Sequence, residues 1–257
     1  MAGFSLRLAG EGLSFTGPSR ITALLRRRYG RFAGRGGLEF AASAAAAGGA
    51  PYTPRAAAGG GLLRISRGDF RASADLRAGT GELSIAPNEQ SLDAFLRSFL
   101  SFSLLRAGGF MLHSAGLVKA GRAYVFLGRS GAGKSTLSGL AAASGAEVIS
   151  DEINMLRRER GRFYAYGSPF WGEMRSEGRQ GRWPLGGLFV LKKGRTHGLS
   201  PCGAAAALPV LLRCVVNFER TPEAGRLAMD NAASLLAGVR AGVLEFSKKD
   251  RGFIGLI

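Results

Sequence analysis

The chain has 257 residues, of which 46% are hydrophobic, so it is long enough for one large or two small domains with a proper core. It carries 35 Lys and Arg against 18 Asp and Glu, a net charge of +17, which favours anionic partners such as nucleotides or acidic peptides. No nucleic-acid-binding motif accompanies this charge, so we expect no specific nucleic-acid partner. The two cysteines, Cys202 and Cys214, have the spacing of neither a disulfide framework nor a zinc site, which predicts reduced core residues.

The sequence shows no pattern of a targeting or membrane-spanning segment. The stretch MAGFSLRLAG lacks the apolar run of a signal peptide, and the apolar stretch near residue 100 contains Asp93, Arg97 and Arg106. We therefore predict a cytoplasmic protein without a membrane span.

Residues 1–87 are predicted to be rich in strands. FSLRLAG and GLSFTG alternate around a Gly-Glu-Gly turn, which is typical of a hairpin, and a short helix is predicted to follow with Ser19 as its cap. The Ala- and Gly-rich stretch 41–61 predicts a loop or linker. The stretch 62–87 alternates again, and we interpret the Arg-Gly-Asp triplet at 67–69 as one of its turns rather than as an adhesion motif.

The next segment predicts a helix and then a hairpin. NEQSLDAFLRSFLSFSLLRAGG repeats its apolar residues at helical spacing, with Asn88 or Ser91 as its cap and Gly108 near its end. Two apolar runs in residues 110–127 flank KAGR, which indicates a hairpin whose second strand leads directly into a glycine-rich stretch.

The stretch GRSGAGKST matches the pattern G-x-x-x-x-G-K-[ST] of a phosphate-binding loop. Glycines let backbone N–H groups turn towards phosphate oxygens, and the helix that follows adds its N-terminal dipole. Lys134 is predicted to reach the terminal phosphates of ATP, and Ser135 to bind Mg²⁺. The residues predicted to bind the nucleotide are Gly128, Arg129, Ser130, Gly131, Ala132, Gly133, Lys134, Ser135 and Thr136.

An acidic pair follows the loop. Asp151 and Glu152 come seventeen and eighteen residues after Lys134, with one short predicted helix and the strand AEVIS between them. If this strand lies beside the strand that precedes the loop, both acids face the bound phosphates. One acid can then coordinate magnesium while the other accepts a proton from an attacking hydroxyl. The alternative interpretation of the pair is an ordinary polar strand end.

Taken together, these residues resemble the HPr kinase/phosphorylase family, and more closely the shorter HPr-kinase-related proteins. The resemblance spans about residues 90 to 257 and rests on LHSAGLV, GRSGAGKST, VISDE and SPFWGEMR. In the family a His precedes the loop by one hairpin, and His113 matches it. Glu173 and Arg175 match the Glu-x-Arg element of the family, in which the Glu helps to hold metal. Without the resemblance, His113 would be interpreted as a core histidine.

The resemblance implies an α/β fold, a P-loop kinase core of the HPr kinase/PEP carboxykinase type with a mixed sheet, preceded by a small β-rich region. The predicted domains are therefore 1–87, of unknown role, and a nucleotide-binding kinase domain at 88–257. The implied activity is Mg-ATP-dependent phosphorylation of a Ser or other hydroxyl on a protein or peptide, by an enzyme that forms a homo-oligomer. The implied catalytic residues are His113, Lys134, Asp151, Glu152 and Arg175, and the implied metal ligands are Ser135, Asp151 and Glu173.

Two departures from the family leave alternatives open. The family usually has Asp-Asp where this chain has Asp151-Glu152, so either acid can be the base. The glycine-rich segment that follows Glu-x-Arg in true HPr kinases is replaced by SEGRQGRWPLGG, so HPr itself is not the predicted acceptor. The alternative functions are a small-molecule kinase of the shikimate or gluconate type and a nucleotide-binding regulator with little turnover. The hairpin before the loop, and the 127 residues that precede Gly128, disfavour the small-molecule kinase. His197 is interpreted as an ordinary loop residue.

Overall fold

The structure is a computed structural model that describes residues 2–46, 48–175 and 178–257. Backbone contacts divide the chain into two compact units. The first comprises Met1–Ser103 with Asn217–Ala224, and the second comprises Leu104–Val216 with Gly225–Ile257. The boundaries of these units differ from the predicted boundary between residues 87 and 88. The division into domains 1–87 and 88–257 stays a prediction.

The described part of the first unit contains a seven-stranded mixed sheet. Its strands are β1 Ala2–Leu8, β2 Glu11–Gly17, β3 Leu38–Ala44, β4 Arg55–Gly59, β5 Leu62–Arg67, β6 Phe70–Asp75 and β7 Thr80–Ile85. They lie in the order β1-β2-β3-β7-β6-β5-β4, and the β2–β3 and β3–β7 pairs are parallel. Helix α1, Ser19–Tyr29, makes the crossover that the parallel β2–β3 pair requires. The predicted β1–β2 hairpin is confirmed by the antiparallel register from Ala2↔Gly17 to Leu8↔Glu11.

One face of this sheet packs against helix α2, Glu89–Arg106, which confirms the predicted helix. Alternate residues are buried in β1–β3 and β5–β7, as the two-residue period of a strand dictates, while β4 buries only Ala56. The Phe95 ring of α2 is the centre of this core. Its centroid lies 6.2, 5.3 and 6.0 Å from the centroids of Phe15, Phe40 and Phe70, each in an edge-to-face arrangement.

One local prediction for this unit is only partly right, and another is wrong. In the stretch 41–61, residues 45, 46 and 48–54 lie outside strands and helices as predicted, but the stretch also contains the end of β3 and the whole of β4. Ala and Ser have weak strand propensity, and pairing with neighbouring strands overrides it here. Ser19 is the first helical residue rather than the cap: Pro18 precedes the helix, and its end has no side-chain cap.

The Arg-Gly-Asp triplet lies in the β5–β6 turn, as predicted. The Arg67 guanidinium donates two hydrogen bonds of 2.6 Å to the Asp69 carboxylate. Ser91 donates a third to the same carboxylate. These contacts lower the pKa of Asp69, with the Arg67 hydrogen bond as the largest cause. The triplet is therefore an internal ion pair that fixes the turn.

The described part of the second unit contains a nine-stranded mixed sheet. Its strands are β8 Phe110–His113, β9 Ala115–Lys119, β10 Arg122–Leu127, β11 Glu147–Ser150, β12 Ile153–Glu159, β13 Arg162–Tyr166, β14 Arg182–Lys193, β15 Gly198–Pro201 and β16 Ala241–Phe246. The path β11-β9-β10-β14-β13-β12-β8 is extended by β16, which pairs with β14 and β15. The predicted hairpin before the glycine-rich stretch is confirmed as β9–β10, with Lys119 opposite Arg122.

Strand direction brings four strand ends to one edge of this sheet. β10, β14 and β16 are mutually parallel, and β11 runs the same way because β9 is antiparallel to both β10 and β11. The expectation that the acidic strand lies beside the loop strand is wrong, since β9 separates β11 from β10. The two ends nevertheless share an edge, because their direction is the same.

Helices cover both faces of this sheet. They are α3 Lys134–Ala142, α4 Ala204–Cys214 and α5 Pro222–Gly238. One apolar cluster joins Leu211 of α4 and Leu235 of α5 to the sheet, and a second joins Leu137 of α3 to Phe126 and Phe253. Within the described ranges, no helix is long and apolar enough to cross a membrane.

Candidate functional site

The glycine-rich loop, residues 128–133, connects β10 to α3 and has a backbone that only glycine adopts readily. Gly131 and Gly133 have φ values of 77° and 103°, in the left-handed region. A Cβ on Gly128 would lie 2.6 Å from the Cβ of Ala132. The loop therefore places its backbone at the N-terminus of α3, where N–H groups lack intrahelical acceptors.

Lys134, the first residue of α3, turns back onto this loop. Lys134 is buried, with 7% of its surface exposed. Its Nζ donates hydrogen bonds to the carbonyl oxygens of Gly128 at 3.0 Å and Arg129 at 3.3 Å. Burial lowers the pKa of the Lys134 ammonium. The same surroundings hold Cys214, whose thiol pKa is raised by burial. Both cysteines are free; Cys214 is buried as predicted, whereas Cys202 is half-buried.

Asp151, the residue that follows β11, is buried, and its carboxylate accepts hydrogen bonds from the backbone. It is 4% exposed. Its Oδ1 accepts the N–H of Gly172 at 2.9 Å, and its Oδ2 accepts the N–H of Met174 at 3.0 Å. Asp151 thereby fixes the turn that carries Glu173 and Arg175, both exposed. Hydrogen bonds therefore join Asp151 to the Glu-x-Arg element, although the two are far apart in sequence.

His113 and Glu152 are brought together by the pairing of β8 with β12. His113 ends β8 and lies opposite Ile153, and the N–H of Ser114 donates to the Glu152 carbonyl at 2.9 Å. His113 is exposed at the strand end, so it is not the core histidine that its sequence context alone suggests.

Ser150 organises the acidic pair, and the sequence reasoning missed it. Its Oγ accepts the N–H groups of Glu152 and Ile153 at 3.1 and 3.0 Å and donates to the Phe170 carbonyl at 2.8 Å. A serine directly before two acids at a strand end is a signal for such a turn.

These side chains surround a cavity of about 590 Å³. It is lined by His113, Ser130, Gly131, Gly133, Lys134, Ser135, Thr136, Asp151, Glu152, Gly172, Glu173, Arg175 and Lys248. We call it the cleft. All the predicted catalytic and metal-binding residues line it, while Gly128, Arg129 and Ala132 are not among its described lining residues. The roles of these residues stay predictions. Lys248 was not predicted, because a lysine in a basic C-terminal stretch has no distinguishing pattern.

A larger cavity, of about 800 Å³, lies on the first unit's sheet. Small Ala and Ser side chains form most of it, together with Arg64, Arg71 and Glu82. It has no glycine-rich loop or acid–base pair, so we place the candidate chemistry in the cleft of the second unit.

The donor set of the cleft fits magnesium. Ser135, Asp151, Glu152 and Glu173 offer oxygen ligands, which Mg²⁺ prefers. Among the described residues, no three His, Cys, Asp or Glu side chains converge closely enough to hold a metal ion themselves. Magnesium bound with a nucleotide takes most of its ligands from phosphates and water, so one or two protein oxygens suffice.

No family model and no curated protein matches the chain. Among solved structures, the chain is similar to the HPr(Ser) kinase/phosphatase from Coxiella burnetii at 10% identity and a TM-score of 0.29. The match covers 53% of this chain and 85% of that chain. A similarity this low carries no argument about activity. The fold is mixed α/β with two mixed sheets, and any functional assignment depends on the residues of the cleft.

Proposed function

We propose that the protein is a Mg-ATP-dependent phosphotransferase that phosphorylates a Ser, or another hydroxyl, of a protein or peptide. The observation that carries this proposal is the cleft itself. It combines a glycine-rich loop at a helix N-terminus with a lysine, an acidic pair and a histidine at one sheet edge. Phosphates, a divalent cation and a hydroxyl acceptor are the ligands that this combination suits.

In this proposal the loop binds the nucleotide phosphates through its backbone N–H groups and the N-terminal dipole of α3. Lys134 exchanges its carbonyl partners for the terminal phosphate oxygens, and Thr136 lies in the same lining. Ser135, Asp151 and Glu173 would hold Mg²⁺, which when bound offsets phosphate charge. A nucleotide held in this way would have its terminal phosphorus facing the acidic pair.

The contacts of the two acids favour Glu152 as the base. Both carboxylate oxygens of Asp151 already accept backbone N–H groups, so this carboxylate is engaged in holding the turn that carries Glu173. Glu152 takes the proton from the acceptor hydroxyl while the oxygen of that hydroxyl forms a bond to the terminal phosphorus. The bond between that phosphorus and the bridging oxygen breaks, and ADP leaves. Arg175 offsets charge on the transferred group, and His113 orients Glu152 or relays the proton.

The acceptor is proposed to be a protein or peptide because of the charge of the chain. A net charge of +17 attracts an acidic macromolecule from a distance and offers several points of contact. A cytoplasmic location and a homo-oligomeric state stay predictions.

The first prediction concerns nucleotide binding. Lys134→Ala is expected to weaken Mg-ATP binding about 100-fold, because it removes a charge-assisted contact to phosphate worth about 2–3 kcal/mol. Isothermal titration calorimetry measures this affinity, and Lys249→Ala is the control because Lys249 is exposed and does not line the cleft. Equal affinities of Lys134→Ala and wild type would refute the nucleotide assignment.

The second prediction concerns transfer. Glu152→Gln is expected to keep Mg-ATP affinity and to lose about 10²–10⁴-fold in phosphoryl transfer, the usual contribution of a general base. Wild type and variant are incubated with Mg-ATP and host cell extract, and phosphopeptides are identified by mass spectrometry. Ser phosphopeptides that need Glu152 support the proposal. ATP consumption without phosphopeptides indicates a small-molecule acceptor, and bound, intact ATP indicates a nucleotide-dependent regulator.

A further inference from the structure

We infer that Lys248 is a phosphate-binding residue of the cleft that contacts the nucleotide rather than the acceptor. The inference rests on the proposed function and deepens it, because it assigns a second lysine to the nucleotide. Lys248 follows β16 and lines the same cavity as Ser130, Gly131 and Lys134.

The strand order places Lys248 and the acidic pair on opposite sides of the glycine-rich loop. The relevant order is β11-β9-β10-β14, with β16 on the other edge of β14 from β10. Asp151 and Glu152 follow β11 on one flank, the loop follows β10 in the middle, and Lys248 follows β16 on the other flank. A nucleotide whose terminal phosphate faces the acids therefore has its remaining phosphates on the side of Lys248.

The glycine-rich loop and the segment containing Lys248 are in direct contact. Phe246, the last residue of β16, is buried against the loop, and a Cβ on Gly133 would lie 2.8 Å from its Cζ. The buried Phe253 ring packs on Phe246, with 5.9 Å between centroids. The chain is thus anchored before and after Lys248.

Hydrogen bonds also hold residues 247–251 in place. Nδ1 of His197 accepts the N–H of Ser247 at 3.3 Å, and Nε2 of the same ring donates to Asp250 Oδ1 at 2.5 Å. Asp250 accepts the N–H of Gly252 at 2.8 Å, and Arg251 donates to the Ala143 carbonyl at the end of α3. His197, interpreted above as an ordinary loop residue, thus fixes the backbone on both sides of Lys248.

The ammonium of Lys248 has no carboxylate partner within the described ranges, unlike Lys192, which pairs with Glu245 at 2.8 Å. Lys134, the other lysine of the cleft, already donates to two carbonyls. An exposed ammonium on a fixed backbone beside a phosphate-binding loop is suited to an anionic oxygen.

The test compares two adjacent lysines. Lys248→Met is expected to weaken Mg-ATP and Mg-ADP binding about 10-fold in calorimetry, the size of one charge-assisted phosphate contact. Lys249→Met, the matched control, is expected to stay within about twofold, because Lys249 is exposed outside the cleft. Lys248→Arg is expected to retain wild-type affinity, since it keeps the charge.

Equal affinities of Lys248→Met and Lys249→Met would overturn the inference, as would a Lys248→Arg variant as weak as Lys248→Met. Either result is distinguishable from failure of the proposed function, because Lys134→Ala tests nucleotide binding separately. If Lys134→Ala binds Mg-ATP like wild type, the function itself is wrong. If Lys134→Ala weakens Mg-ATP binding but Lys248→Met does not, the proposed function stands and the role inferred for Lys248 is wrong.

Discussion

Asp151 and Glu152 are neighbours in sequence, but their surroundings differ. The Asp151 carboxylate is buried and accepts two backbone N–H groups from the turn that carries Glu173. Glu152 is half-buried and faces the cleft. Under the proposed function, Asp151 therefore shapes the site while Glu152 takes part in proton transfer.

This difference predicts different stabilities for two similar variants. Asp151→Asn is expected to lower the free energy of unfolding by about 1–3 kcal/mol, because an amide has one acceptor oxygen and leaves the N–H of Gly172 or Met174 without its acceptor. Glu152→Gln, the matched control, is expected to lower it by less than Asp151→Asn does, because Glu152 is only half-buried. Chemical denaturation of the nucleotide-free protein measures both. Equal stabilities would show that the Asp151 contacts do not hold the turn.

At the scale of elements, Phe95 of α2 lies at the centre of the core of the first unit. Phe95 has no exposed surface and contacts the rings of three different strands, β2, β3 and β6. The helix was predictable because its apolar residues repeat at helical spacing over five turns, the pattern most readily interpreted from sequence.

We predict that Phe95→Ala destabilises the protein by about 3–5 kcal/mol, because it removes a large ring from a filled core and leaves a cavity. Leu76→Ala is the control, since Leu76 is 40% exposed in the same unit. It is expected to cost less than about 1 kcal/mol. The measurement is the unfolding midpoint in denaturant. A loss for Phe95→Ala no larger than that of the control would mean that the sheet and α2 do not share a cooperative core.

At the scale of the whole molecule, local patterns predicted elements but not their arrangement. The hairpins, α2 and the glycine-rich loop each follow from residues close in sequence. The strand order β11-β9-β10, the use of Ala-rich residues in β4, and the approach of Lys248 to the loop depend on pairing between distant segments. The first unit shows the same limit, because the Ala56 N–H donates to the Phe218 carbonyl at 3.0 Å, far along the chain.

The contacts of Lys134 have a further consequence for the glycine-rich loop. By donating to the carbonyls of Gly128 and Arg129, the lysine ties the loop around its own ammonium. Under the proposed function, an arriving phosphate would therefore exchange hydrogen-bond partners with a loop that already has its shape. Binding would then cost little conformational entropy, but the phosphate would have to compete with the two carbonyls for the same ammonium.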